Sequence, residues 1–271
     1  MLTKFYMPLK IFNPMIVKKH WFILLSVCFL ISCSSVSVTS SSTPFTEKAL
    51  KLEKQGHSSS QKRQYDIAIG HLLQSLKIFS LIDDLKGQMR IKISLAKLYW
   101  LKNKPKLARF HINQALQLNK ETGETDELYD AWILRGKITQ QQGDYTKALN
   151  SAKTPIQKAV SLIYLKQTEQ AYALINNEKQ ITHHRDDYAF VTLEYGKFHH
   201  NVSIIEKALK LYKQTDNFIG ISNCLYLIAE TYSQSGQNSL AKKYFNRALI
   251  VNQAIGDQNK VDIVRNKLER L

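Results

Sequence analysis

Two stretches of 30 residues, 89–118 and 222–251, constrain the fold more than any other part of the sequence. The first reads MRIKISLAKLYWLKNKPKLARFHINQALQL and the second SNCLYLIAETYSQSGQNSLAKKYFNRALIV. In both, apolar residues recur at three- and four-residue spacing, which is the period of a helix. Small Ala96 or Ala229 is followed three residues on by Tyr99 or Tyr232, and a polar break leads into a second helical run. That run carries Ala108 or Ala241, then Ile112 or Phe245, then Ala115 or Ala248. Alanines at fixed places let two antiparallel helices approach closely, and the large residues fill the space beside them. A unit of this size cannot bury its apolar face alone, so its copies must stack. With 10 Gly and 5 Pro in 271 residues, the chain also lacks the turns an all-β fold would need. The expected fold is therefore all-α, an α-α superhelix of antiparallel helical hairpins.

The pattern of small, aromatic and alanine positions resembles the tetratricopeptide repeat. Repeats begin at Ala49, Met89 and Tyr129, then at Thr182 and Ser222. In the third, Trp132, Gly136, Gly143 and Ala148 keep the register. The step of 40 residues exceeds the roughly 34 of the commonest form. That spacing resembles the longer repeats of kinesin light chains, polarity adaptors and bacterial peptide sensors. Gly143 and Gly236 fall where the turn within a hairpin calls for a left-handed backbone. The solenoid is expected over 45–256, irregular near 153–181, where Thr154-Pro155-Ile156-Gln157 reads as a capping box opening a short hairpin. Three residues depart from the pattern: Ser75 and Asn201 stand in for alanine, and Arg135 takes a usually buried place. Residues 257–271 place Val261, Val264, Leu268 and Leu271 on one stripe, as expected of a C-terminal capping helix.

The N-terminal region carries an address. Lys4, Lys10, Lys18 and Lys19 precede an apolar run from Trp21 to Ile31, about half the ~20 residues of a spanning helix. A basic flank before a short apolar core has the form of a secretory signal. Leu30-Ile31-Ser32-Cys33 resembles the lipobox of bacterial lipoproteins, which implies cleavage after Ser32 and a diacylglyceryl group on the Cys33 thiol. Residues 1–32 are thus expected to be a signal peptide and 33–44 a lipidated Ser/Thr-rich tether, too polar to fold. Ser34 is not the Asp associated with inner-membrane retention. The resemblance therefore implies an anchor in the inner leaflet of the outer membrane, with the domain in the periplasm.

No catalytic constellation emerges. The sequence has no Gly-rich phosphate loop, no Ser/His/Asp arrangement and no CxxC pair. The doublets His183-His184 and His199-His200 make poor metal sites, because adjacent helical side chains diverge by about 100°. Cys224 reads as a small packing residue, and no cofactor is implied. The formal charge of +16 suits an anionic partner. An exported protein does not meet nucleic acid, so the expected partner is a protein or peptide. In proteins of this resemblance the concave groove is lined by the first helix of each repeat. Carried over, the groove candidates are Arg90, Ile93, Lys97, Trp100 and Leu101, then Asp130, Ile133 and Lys137, then Asn223, Tyr226 and Glu230. Lys97 and Lys137 near Trp100 imply a peptide with an acidic group and an apolar anchor. The function expected is an envelope interaction scaffold or assembly adaptor, with a sensory module for a peptide or glycan as the alternative. Oligomeric state is not readable from these features.

Overall fold

Turns of three residues set the architecture. In Ile82-Asp83-Asp84, Lys102-Asn103-Lys104, Thr215-Asp216-Asn217 and Ser235-Gly236-Gln237 the middle residue has φ of 54, 53, 51 and 75°. Asp, Asn and Gly tolerate this left-handed conformation better than other residues. One such residue ends a helix and sends the next one back antiparallel. The computed structural model of the chain describes residues 43–123, 126–175 and 184–271.

Among the described residues there are thirteen helices and no strand. The first six are α1 (Pro44–Gln61), α2 (Tyr65–Leu81), α3 (Leu85–Leu101), α4 (Pro105–Thr122), α5 (Leu128–Thr139) and α6 (Gln142–Ser151). A shorter pair follows, α7 (Pro155–Tyr164) and α8 (Thr168–Leu174). The chain then continues through α9 (Arg185–Phe198), α10 (Val202–Gln214), α11 (Phe218–Gln234), α12 (Asn238–Ala254) and α13 (Gln258–Glu269). Each helix packs on its neighbours in sequence, and the core runs along the array as successive clusters. The alanines that defined the repeat, Ala96, Ala108, Ala115, Ala229, Ala241 and Ala248, are all buried at the helix crossings. Close crossing also explains Gly87 and Gly220. A Cβ on Gly87 would come within 2.4 Å of the Phe79 ring, and one on Gly220 within 2.5 Å of the Tyr212 ring. No helix among the described residues is long and apolar enough to cross a membrane.

The capping box forms as its residues suggest. Thr154 accepts from the Gln157 amide at 3.3 Å, while Gln157 Oε1 accepts from the Thr154 amide at 3.2 Å. Helix α13 buries Val261 and Val264, with Leu268 and Leu271 packed against the same cluster. Two departures acquire reasons. The Ser75 hydroxyl is fully buried and donates to the Ala49 carbonyl at 2.8 Å, tying α2 to α1. Arg135 lays its guanidinium 5.3 Å from the Trp132 ring and 3.5 Å from the buried Asp144 carboxylate, so it packs flat and neutralises a core charge.

Two expectations need correction. Gly143 is not a left-handed turn residue: it lies inside α6, and Gln140 takes the left-handed place at φ 57°. The turn comes early because Thr139 ties it down, donating to Asp144 Oδ2 at 2.9 Å and accepting from the Gln141 amide at 3.3 Å. The register of the fourth full repeat also shifts. Thr182 lies outside the described residues, but the turn 199–201 corresponds to 235–237. Asp186 is therefore the equivalent of Ser222, and Asn201 is a helix cap that accepts from the Ile204 amide at 3.2 Å. Ile205, fully buried, takes the close-packed place that alanine holds elsewhere.

Candidate binding groove

Helices α1, α3 and α5 are the first helices of successive hairpins, and their exposed faces converge on one concavity of about 600 Å³. Its walls include Arg90, Ile93, Lys97, Trp100 and Leu101 from α3, and Asp130, Ile133 and Lys137 from α5. The helical period explains the convergence, since residues three and four apart share a face. The structure brings these eight candidates together. It places Asn223, Tyr226 and Glu230 elsewhere, under the last helix. Lys260 Nζ donates to Asn223 Oδ1 at 2.7 Å, Lys267 Nζ lies 2.8 Å from Glu230 Oε1, and the Tyr226 hydroxyl donates to the same carboxylate at 2.9 Å. Helix α13 thus occupies the face that the last repeat would offer to a ligand.

Sequence reasoning found Asp130 but missed two other acids and a histidine of the groove. Glu53, His57 and Glu127 also line it. Arg90 is held by Glu53 through Nη2–Oε2 at 3.2 Å and Nε–Oε1 at 3.4 Å. Burial alone would raise the Glu53 pKa, but His57 and Arg90 outweigh it and hold the carboxylate below its ordinary value. A spacing carried the missing signal. Glu53 to Arg90, Asn223 to Lys260 and Glu230 to Lys267 are each 37 residues apart. Such pairs join one inner helix to the next. An acid-to-base search at that interval finds two of the three.

Burial shifts two charged groups of the groove. The Asp130 carboxyl is raised, mainly by burial, although Lys97, Lys137 and His184 pull it down. The Lys137 ammonium is lowered by burial, with Asp187 and Asp130 opposing. Asp130 is open at its tip. The concave walls around it nonetheless replace much of the solvent, so both groups drift toward their neutral forms. Lys137 also sits 5.3 Å over the Tyr164 ring. Cations and anions therefore alternate beside the apolar strip of Ile93, Trp100 and Ile133, and the groove is not uniformly positive.

Among the described residues no group of three or more His, Cys, Asp or Glu side chains is placed to hold a metal ion. His199 Nε2 lies 2.7 Å from Glu169 and His184 Nδ1 lies 3.8 Å from Asp187, so each pairs with a carboxylate. Cys224 is fully buried, and burial pushes its thiol up to about 12, well away from a nucleophilic thiolate. The lipobox residues Leu30, Ile31, Ser32 and Cys33 lie outside the described residues.

The hairpin α11–α12 matches the family model described as the tetratricopeptide repeat, over residues 222–254. This hairpin is a tetratricopeptide repeat. The whole array has the same fold as the apo form of RapI, a crystal structure aligned at TM-score 0.59 and 12% identity. That alignment covers 90% of this chain and 94% of RapI. Two crystal structures of a Podosopora anserina putative kinesin light chain, with nearly identical TPR-like repeats, align at 13% identity and TM-score 0.37. They cover 77% and 76% of this chain, and 96% and 95% of theirs. No curated protein matches the chain. The fold is thus an all-helical tetratricopeptide-like solenoid.

Proposed function

We propose that the protein is a scaffold lipoprotein of the bacterial envelope that holds a protein segment in the groove of α1, α3 and α5. The repeat fold is that of interaction modules, whose concave surfaces are built to hold extended partners. The observation that carries the reading is the concavity itself. A strip of Ile93, Trp100 and Ile133 runs through charged residues, and it is large enough for several side chains of a peptide. The partner offers an apolar anchor to that strip and an acidic group to Lys97. Glu53, Glu127 and Asp130 disfavour a segment that is acidic throughout.

A photo-reactive residue at Leu101, on the groove wall, is expected to crosslink a protein of the envelope fraction. The same residue at Phe110, on the outer helix α4, is not. Trp100→Ala is expected to weaken capture by roughly tenfold or more, as for a central aromatic anchor. Equal crosslinking from both places, or capture unaffected by the substitution, argues against the groove.

The address is proposed from the sequence, supported by the order of basic flank, apolar core and lipobox. Intact mass of the membrane-extracted protein is expected to show loss of residues 1–32 and the added mass of acyl chains. An unmodified full-length chain would refute the lipid anchor.

A further inference from the structure

In an array of antiparallel hairpins, turns within hairpins lie on one rim and turns between hairpins on the other. The two rims of this protein carry opposite charge. Turns within hairpins hold Lys62, Arg63, Lys102, Lys104 and Lys166, together with His199 and His200, and no acidic residue. The described turns between hairpins hold Asp83, Asp84, Asp126, Glu127, Asp216 and Asp257, with Lys153 and His184 as their basic members. Asp66 and Glu169, in the first turns of α2 and α8, lie beside the basic rim and pair with Lys102 and His199.

Helix electrostatics does not require this segregation. Every turn follows one helix C-terminus and precedes one helix N-terminus, so both rims face the same local demand for cations and anions. Three basic residues are in fact locally unfavourable. Lys104 is the N-cap of α4 and makes no side-chain capping bond, which Asp would supply. Arg63 and Lys166 hold left-handed positions at φ 59 and 65°, which Asn or Gly would occupy with less strain. The rim keeps its charge against the local preferences of its turns.

One contact joins the two rims. Arg63 Nη1, in the first turn of the basic rim, donates at 2.8 Å to the Ile255 carbonyl, 192 residues away. Ile255 ends α12 in the final turn of the acidic rim, beside Asp257. At this one point a turn of the basic rim touches a turn of the acidic rim, through a side-chain bond to a backbone carbonyl. We propose that the complementary charge of the two rims lets the chain bind further copies of itself, the basic rim of one copy stacking on the acidic rim of the next. Such a contact is heterologous, so it adds copies in one direction and does not stop at a dimer. Its attraction comes from exposed charge and is screened by salt. Glu127 apart, the residues of the two rims lie outside the groove lining.

Sedimentation of the detergent-solubilised full chain tests this, because the N-terminal region is identical in every variant compared. At about 50 mM salt the wild-type chain is expected to form species larger than a monomer that dissociate near 500 mM. Arg63→Asn with Lys166→Asn should weaken association by roughly tenfold while leaving the melting temperature equal or higher, since Asn suits both turns. Lys62→Glu, Lys104→Glu and Lys166→Glu together make both rims acidic, and Asp83→Lys, Asp126→Lys and Asp216→Lys together make both basic. Each of these variants should be monomeric alone, and their mixture should associate again. A wild-type chain that is monomeric at low salt overturns the proposal, and so does association indifferent to salt and to every variant. Capture of that monomer by vesicles rich in phosphatidylglycerol would transfer the basic rim to a lipid surface and equally overturn it.

Discussion

Replacing Phe245 with Ala is expected to cost about 3–5 kcal/mol, the largest effect of any single substitution considered for this fold. Phe245 is 1% exposed on α12 and meets Tyr226 of α11 edge-on, with ring centroids 5.5 Å apart. The alanines flanking it, Ala241 and Ala248, are fully buried and are pinned by close helix contact. They cannot swing in to fill the space, so most of the ring volume stays empty. In a solenoid each hairpin packs on its neighbours, and among the described residues α12 reaches the first hairpin only through the exposed Arg63–Ile255 bond, so the loss should be local. Hydrogen exchange is the appropriate measurement. Protection is expected to fall in α11 to α13 and to persist in α1 to α4. Uniform loss of protection along the array would mean that the hairpins unfold as one unit.

Acidification is expected to destabilise the middle of the N-terminal half through His111. This histidine is 9% exposed on α4, stacks on Tyr99 of α3 at 5.3 Å, and has an unpartnered Nδ1. Burial, with the nearby Lys92 charge, pushes it down from 6.5 to about 4. The unfolded chain therefore takes up the proton first. The stability that depends on a neutral imidazole is complete above about pH 6.5 and is lost as the pH falls from there toward about 4. A shift of this size corresponds to about 3 kcal/mol at most. Asp130 and Asp187 are raised, chiefly by burial, and act in the opposite sense as the pH falls. The comparison with His111→Phe, which keeps the stack and removes the charge, is thus the measurement that isolates it. The wild-type midpoint in urea should fall over this range more steeply than that of the variant. Parallel curves would assign the acid sensitivity elsewhere.

Much of the fold was legible because its signals are local. The alanine, tyrosine and phenylalanine positions of 89–118 and 222–251 state the helix period and the close crossings, and the structure buries the alanines where the pattern puts them. Register was less legible. Gly143 reads as a turn residue by composition, yet the bond between Thr139 and Asp144 closes the turn earlier. Asn201 reads as a lost alanine, yet a shorter first helix makes it a cap. Both errors come from counting residues where the chain counts helix ends.

The groove shows the same division. Its cations and its aromatic were found because they lie on one helix face, which the 3.6 period exposes to any reader of the sequence. Of its acids only Asp130 was found; Glu53 and Glu127 were not, since they lie off the helix face of Arg90 and Trp100 and matter only once the helices stand side by side. Nor does any local rule place α13 over Asn223 and Glu230.

By itself the sequence determined the helices, their pairing into hairpins and the charge of each turn, because these depend on neighbours within a few residues. Tertiary structure alone decided which faces form an open groove, which face the last helix closes, and that Arg63 reaches Ile255. Those outcomes depend on the small rotation between successive hairpins. No single residue encodes that rotation, and it accumulates over the whole array.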